Sequence, residues 1–188
     1  MACTITLVNS RKLPCMRSRV GIRAVYIVQF NRQDTIQTTT AGVVELPTYI
    51  TSPLTPSVAR YDVKSTTINY TDTRTQNLDN RSFGSKGELP IILIPGEGVD
   101  NVVLAEEVEQ WSKTETLVFL EYKSGEFFAI GSQFGCNIST SVDTSGGQSG
   151  DLNGKTITIQ TDESEDYRKY WLTPAAVTEL ITATLPDA

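Results

Sequence analysis

The sequence predicts a mainly β protein built as a single domain, and three observations carry that prediction. Threonine is abundant, with 25 among 188 residues, and a β-branched side chain loses rotamer freedom in a helix but suits a half-exposed pleated surface. Runs of β-formers recur along the chain, while helical spacing is confined to two stretches. A hydrophobic content of 39% with 20% charged residues belongs to a folded chain, and one of this length buries roughly 70% of its unfolded surface without a metal or disulfide staple.

The elements follow in order. "IRAVYIVQF", residues 22 to 30, is a strand with a continuous apolar run at Val25, Tyr26, Ile27 and Val28. Residues 31–60 hold three prolines and only short β-prone pieces, too long for a structureless loop inside a compact domain unless they order against a partner. "YDVKSTTINYTDTRTQNLDN" alternates from Tyr61 to Asn77 and predicts one long, partly exposed strand. "ELPIILIP" predicts a short strand bracketed by Pro90 and Pro95. In "GVDNVVLAEEVEQWSKT" Asp100 is placed to cap a helix, and Val103, Leu104, Val108 and Trp111 fall at helical spacing. Glu106, Glu107 and Glu109 then lie mainly on its wet face. "ETLVFLEYKSGEFFAIG" predicts a hairpin turning at Ser124-Gly125. A strand over about 134–142, a glycine-rich connection and the strand "KTITIQ" come next. In the tail, Thr173 is placed as N-cap and Pro174 at the first helical position, where its missing N–H costs nothing.

Several function classes lose ground on composition. The chain has no histidine, which removes the usual general base, the Ser-His-Asp and Cys-His nucleophile systems and the commonest zinc ligand. Cys3, Cys15 and Cys136 are odd in number and lack metal-ligand spacing, so they read as reduced thiols, and a Cys3–Cys15 bridge is disfavoured on compartment grounds. No apolar run approaches the roughly 20 residues that cross a bilayer, and the first residues lack the pattern of a signal peptide. The sequons at Asn69, Asn80 and Asn137 then read as chance. Residues 1–33 carry six basic side chains and no acid, whereas the rest carries 10 basic and 22 acidic residues. That basic segment reads as a partner for acidic surface of this chain or a neighbouring copy, because no aromatics for base stacking interleave it before Tyr26.

"SGDLNGKTITI" imitates a phosphate-binding loop and fails on two counts. Counting back from Gly154, the required first glycine falls on Ser149, and Gly150 is one place out of register. The Lys155 to Gln160 stretch also alternates with period two as a strand, whereas a phosphate cradle runs into a helix N-terminus. The acidic run Asp162, Glu163, Glu165 and Asp166 lacks the glycine and ligand spacing of a calcium loop and reads as a solvated turn. No catalytic motif, cofactor or metal site emerges, and the chain is expected to be non-enzymatic. A carboxylate-based hydrolase is the minor alternative.

Four pieces in this order resemble a family. "CTITLVNSRKLPCMRSRVGIRAVYIVQF", "YDVKSTTINYTDTRTQNLDN", "LVFLEYKSGEFFAIGSQFGCNIS" and "GGQSGDLNGKTITIQTDESEDY" are similar to tail-tube-like structural proteins of bacteriophages infecting Bacteroidetes, including crAss-like phages. Gly21-Ile22, "GEFFAIG" (125–131) and "GDLNGKTITI" (150–159) occupy the places of the group's motifs, and Lys155 and the Pro-rich 46–56 stretch depart from them. The resemblance implies a tail-tube-like β-sandwich or barrel with one flanking internal helix and a short C-terminal helix. It implies a homo-oligomeric ring, six-fold or twelve-fold, in the virion tail, assembled in the host bacterial cytoplasm beside neighbouring tail or portal proteins. DNA would pass through without sequence-specific binding and no membrane would be involved. In that setting Asp62, Lys64, Thr66, Ile68, Tyr70 and Asp72 are the candidates for subunit seam or channel lining. Residues 31–60 are the inter-subunit arm, with Val43, Val44, Leu46, Tyr49 and Ile50 reaching the adjacent ring, and removal of 36–56 should leave a folded core. A capsid decoration or head-vertex protein is the alternative role.

Overall fold

The computed structural model describes residues 21–34, 36–38, 44–51, 58–63, 68–77, 82–93, 101–144, 154–163 and 170–184. Cys3, Cys15, Val43, Lys64, Thr66, Asp100 and the glycine-rich connection up to Asn153 lie outside these residues. In chain order the elements are β1 (Ile22–Gln29), β2 (Gln37–Thr38), β3 (Val44–Glu45), α1 (Thr48–Thr51), β4 (Ala59–Asp62), β5 (Thr71–Asn77) and β6 (Ser82–Leu93). They continue with α2 (Asn101–Lys113), β7 (Thr116–Tyr122), β8 (Phe127–Ile130), β9 (Asn137–Thr144), β10 (Gly154–Glu163), β11 (Tyr170–Trp171) and α3 (Pro174–Thr182). Among the described residues the chain is mainly β, with three short helices.

The strands form a five-stranded sheet in the order β11-β8-β7-β1-β4, a four-stranded sheet in the order β5-β6-β10-β9, and the small pair β2-β3. Every pairing between these strands is antiparallel. Among the described residues neither large sheet closes on itself.

One hydrophobic cluster joins the two sheets. Val25, Ile27, Val118, Leu120 and Phe128 come from the five-stranded sheet, and Leu89, Ile91, Ile157 and Ile159 from the four-stranded sheet. Val108 of α2 joins the same cluster, with Trp111 packed edge-on to Tyr61 at a centroid distance of 5.0 Å. A second cluster covers the far side of β1 and β7, where Tyr26, Val28 and Phe119 meet Ile36, Leu46, Ile50, Ala176 and Leu180. The five-stranded sheet is therefore buried on both faces. That is why β1 and β7 read as continuous apolar runs rather than alternations.

Local signals place the connections. Gly125 takes a φ of 86° in the β7–β8 turn, a left-handed conformation that glycine adopts without strain, and the turn closes through the Tyr122 amide donating to the Glu126 carbonyl at 2.9 Å. The Thr173 hydroxyl accepts from the Ala176 amide and Pro174 opens α3, as the sequence predicts. In α2, Glu106 and Glu109 are exposed, but Glu107 accepts a hydrogen bond from the Tyr61 hydroxyl at 2.8 Å.

Three expectations are corrected. The single strand over 61–77 is two strands in two different sheets, β4 and β5. Its turning point is apolar: Ile68 is buried, and Tyr70 packs beside Phe128 at 5.9 Å, which draws the chain through the space between the sheets. The "ELPIILIP" strand is the second half of the twelve-residue β6. Pro90 lies two residues beyond Glu88, the last position that β5 pairs, so its missing N–H falls where β6 has one paired neighbour. Finally, Ile36, Leu46 and Ile50 belong to the second core cluster of their own chain. Removing 36–56 would uncover the outer side of β1 and β7 rather than leave the core intact.

Tyr70 also fixes a glycine. A Cβ on Gly87 would stand 2.5 Å from the Tyr70 hydroxyl and 2.6 Å from the Thr161 methyl, so the tyrosine lies across a bare stretch of β6. Gly87→Ala is expected to cost about 1–3 kcal/mol by overpacking, and the cost should shrink in a Tyr70→Ala background when both pairs are compared by urea denaturation. Ile50→Ala should lose about 2–5 kcal/mol in the same measurement, as for other large-to-small core changes.

Three phenols add an alkaline limit. Tyr26 is pushed up to about 12 by burial and then by its bond to Glu121, and Tyr49 to about 12 by burial. Tyr61 is raised by burial and then by its bond to Glu107. A folded pKa above the unfolded value of 10 means stability intact below pH 10 and lost as pH rises towards 12. Tyrosinate absorbance should therefore appear together with loss of the β-sheet circular dichroism signal, and Tyr26→Phe should shift that transition to higher pH.

Candidate assembly surface

The β6–β10 ladder runs unbroken from Leu93 opposite Lys155 to Ser85 opposite Glu163. Strand side chains alternate between faces, so placing Leu89, Ile91, Ile157 and Ile159 inward turns Lys86, Glu88, Pro90, Ile92, Thr156, Thr158, Gln160 and Asp162 outward. The flanking registers extend the outward rows. Thr71 lies opposite Glu88 and Thr73 opposite Lys86 on one side, and Thr140 opposite Thr158 and Val142 opposite Thr156 on the other. All are exposed or half-exposed, Val142 at 56%.

The result is a broad face dominated by threonine hydroxyls and methyls. Its described charges are Lys86, Glu88 and Asp162, one cation against two anions. Lys86 Nζ stands 3.1 Å from Glu88 Oε1, and the Gln160 amide donates to the same oxygen at 3.0 Å. Such a face offers no dense cationic patch to grip phosphate by counterion release. Among the described residues it ends in the seven-residue β5 and the eight-residue β9, each paired with a strand on one side only. Ser139 is an extra residue in β9 and its hydroxyl donates to the Thr158 carbonyl at 3.1 Å, so the bulge is bonded back into the sheet.

The candidates drawn from the sequence land differently from this face. Asp62 sits exposed at the end of β4 in the other sheet, 2.7 Å from Arg60. Ile68, at 6% exposure, has no surface to offer a seam or channel. Tyr70 packs between the sheets, and the Asp72 carboxylate turns inward and accepts from the Ser85 hydroxyl. Ile68, Tyr70 and Asp72 thus turn to the interior, and the odd-numbered Thr71, Thr73 and Thr75 stand outside. Alternation specifies two faces but not which one is wet, and a shift of one residue exchanges them. Leu46 and Ile50 are buried in the chain's own core and Tyr49 is half-buried against it, so these three make intrachain contacts rather than extend from the body. Val44 contributes its backbone to the β2–β3 pair. The outward Thr156 and Thr158 were legible in "KTITI" as a strand, but not as part of a surface.

Two other arrangements are accounted for by the fold. Glu121 is buried on β7, accepting from Tyr26 at 2.9 Å and from Arg23 at 3.1 Å, so its carboxylate is already engaged in tying β7 to β1. The would-be phosphate loop leads into β10, and no helix N-terminus follows it. Among the described residues no group of three His, Cys, Asp or Glu is placed to hold a metal, and no helix is long and apolar enough to cross a membrane. No protein-family model, curated protein or solved structure matches the chain.

The face assignment is tested by paired substitutions in β10. Thr158→Val should change stability by no more than about 0.5 kcal/mol, as for surface positions. Ile157→Thr, one residue away, should lose about 2–4 kcal/mol by removing buried methylene and burying a hydroxyl. Equal losses at the two positions in thermal denaturation would reverse the assignment.

Proposed function

We propose that this chain is a non-enzymatic structural subunit of a phage virion, a tail-tube-like β-sandwich that assembles into a ring of the tail. Six or twelve copies would surround a conduit for DNA, with tail or portal proteins above and below. The observation that carries the reading is the outward face of the four-stranded sheet, wide, threonine-rich, without clustered cations, and ending among the described residues in strands paired on one side only. Open edges are a liability on a lone subunit, and joining them in a closed assembly removes them. A surface without clustered cations suits a wall along which nucleic acid slides, because bound phosphates would be held by counterion release. The overall balance of −6 points the same way.

Native mass spectrometry and averaged electron micrographs of the purified protein test this directly. The expected result is a closed ring of one stoichiometry with an axial opening. A protein that stays monomeric at high concentration, and whose place in the particle is off the tail axis, would defeat the proposal; a position on the head surface would instead support a decoration role. Gel-shift titration at about 150 mM salt should show no retained duplex, since nonspecific affinity depends on phosphate contacts that this face lacks.

A further inference from the structure

We propose that the segment preceding β1 straps the outside of its own chain, with Arg19 and Arg17 stacked on the aromatic pair Tyr122 and Trp171. The contact lies within one subunit and needs no assembly.

The receiving patch belongs to the five-stranded sheet. Trp171, on the two-residue β11, is 51% exposed. Its indole meets Phe128 at a centroid distance of 5.1 Å and Tyr122 at 5.8 Å, the latter with ring planes 35° apart. Glu126 stands beside this pair. Its carbonyl accepts from the Tyr122 amide at 2.9 Å, and its exposed carboxylate accepts from the Ser124 hydroxyl at 3.0 Å. Single apolar side chains scattered over a surface are ordinary. Two neighbouring rings beside a carboxylate are a receptor for guanidinium groups, because the ring face attracts a cation and the acid pairs with it.

The chain enters the body at the rim of this patch. The Lys123 amide donates to the Gly21 carbonyl at 3.0 Å, and Ile22 lies opposite Tyr122. Gly21 takes a φ of 128°, so the chain bends there in a way that favours glycine. Residues 1–20 lie outside the described residues. Their sequence carries Arg11, Lys12, Arg17 and Arg19 and no acid, whereas the other 168 residues carry 12 basic and 22 acidic side chains, a net of −10. A segment of one sign is thus tethered beside a patch that accepts that sign, and the tether keeps its effective concentration high.

Reach and spacing select the arginines. In the order β11-β8-β7-β1 the first and last strands are three spacings apart, about 14 Å, and the four residues before Gly21 cover about 13 Å when extended. In an extended "RSR", Arg17 and Arg19 fall on one side and Ser18 on the other, with about 6.6 Å between the two arginines. The centroids of Tyr122 and Trp171 are 5.8 Å apart. That match places Arg19, nearer Gly21, on Tyr122 beside Glu126, and Arg17 on Trp171.

Tryptophan fluorescence tests the strap in the full chain. The sequence has two tryptophans, so Trp111→Phe leaves Trp171 as the only emitter. In that background Arg17→Gln with Arg19→Gln should raise acrylamide quenching roughly two-fold and move the emission to longer wavelength, as for loss of two cation–π contacts. The circular dichroism spectrum should not change. Ser18→Gln, on the opposite side, should leave quenching and emission as they were. Unchanged quenching in the double variant, or an equal rise in Ser18→Gln, overturns the strap. Docking on the same chain is tested by Arg19→Cys with Glu126→Cys in a Cys3→Ser, Cys15→Ser background, where Cys136 is buried. Mild oxidation should give an internal disulfide at the mass of one chain. Covalent dimers, or no cross-link at all, overturn the placement. Neither readout depends on whether rings form.

Discussion

The ladder between β6 and β10 is the constraint on which the rest depends. Its register commits Leu89, Ile91, Ile157 and Ile159 to the shared core and, by alternation alone, commits their neighbours to solvent. Each buried aliphatic side chain contributes about 1.5–3 kcal/mol, so a slip by one residue would forfeit the interior of the sheet. The same ladder carries β5 at one end and β9 at the other. Core and outward surface are two consequences of one pairing.

The five-stranded sheet serves a different purpose. It is covered by the other sheet on one side and by α1, α3, Ile36 and Leu46 on the other. Its polar interior contacts, such as Tyr26 and Arg23 on Glu121, hold neighbouring strands together instead of presenting chemistry. The end of α3 is tied in through a parallel bridge between Val58 and Thr184, next to the start of β4. The body is fixed from both sides.

What could be read from the sequence was local. β1, the β7–β8 hairpin with Gly125, β10 and the Thr173-Pro174 start of α3 each carry their signal within a few residues. What could not be read depends on distant partners. "SFGSKG" contains two glycines and looks like a loop, yet it is strand because β5 pairs it along its whole length and β10 joins from Ser85 onward. The alternation of 61–77 fits either phase, and only the burial of Ile68 and the seat of Tyr70 over Gly87 decide it. The 31–60 region looked like an excursion because Ile36, Leu46 and Ile50 are too widely spaced to show a period, although they converge on one core. The outward face draws on four strands far apart in sequence, so no single stretch announces it.

Pro90 gives the sheet a means of refusal. Past Glu88, β6 loses its neighbour β5 among the described residues, and its rim from Leu89 to Leu93 is level with β9. A ring nitrogen without hydrogen interrupts that rim. The proline leaves this rim one donor short, which makes it a poorer template for further strand pairing than an unbroken edge.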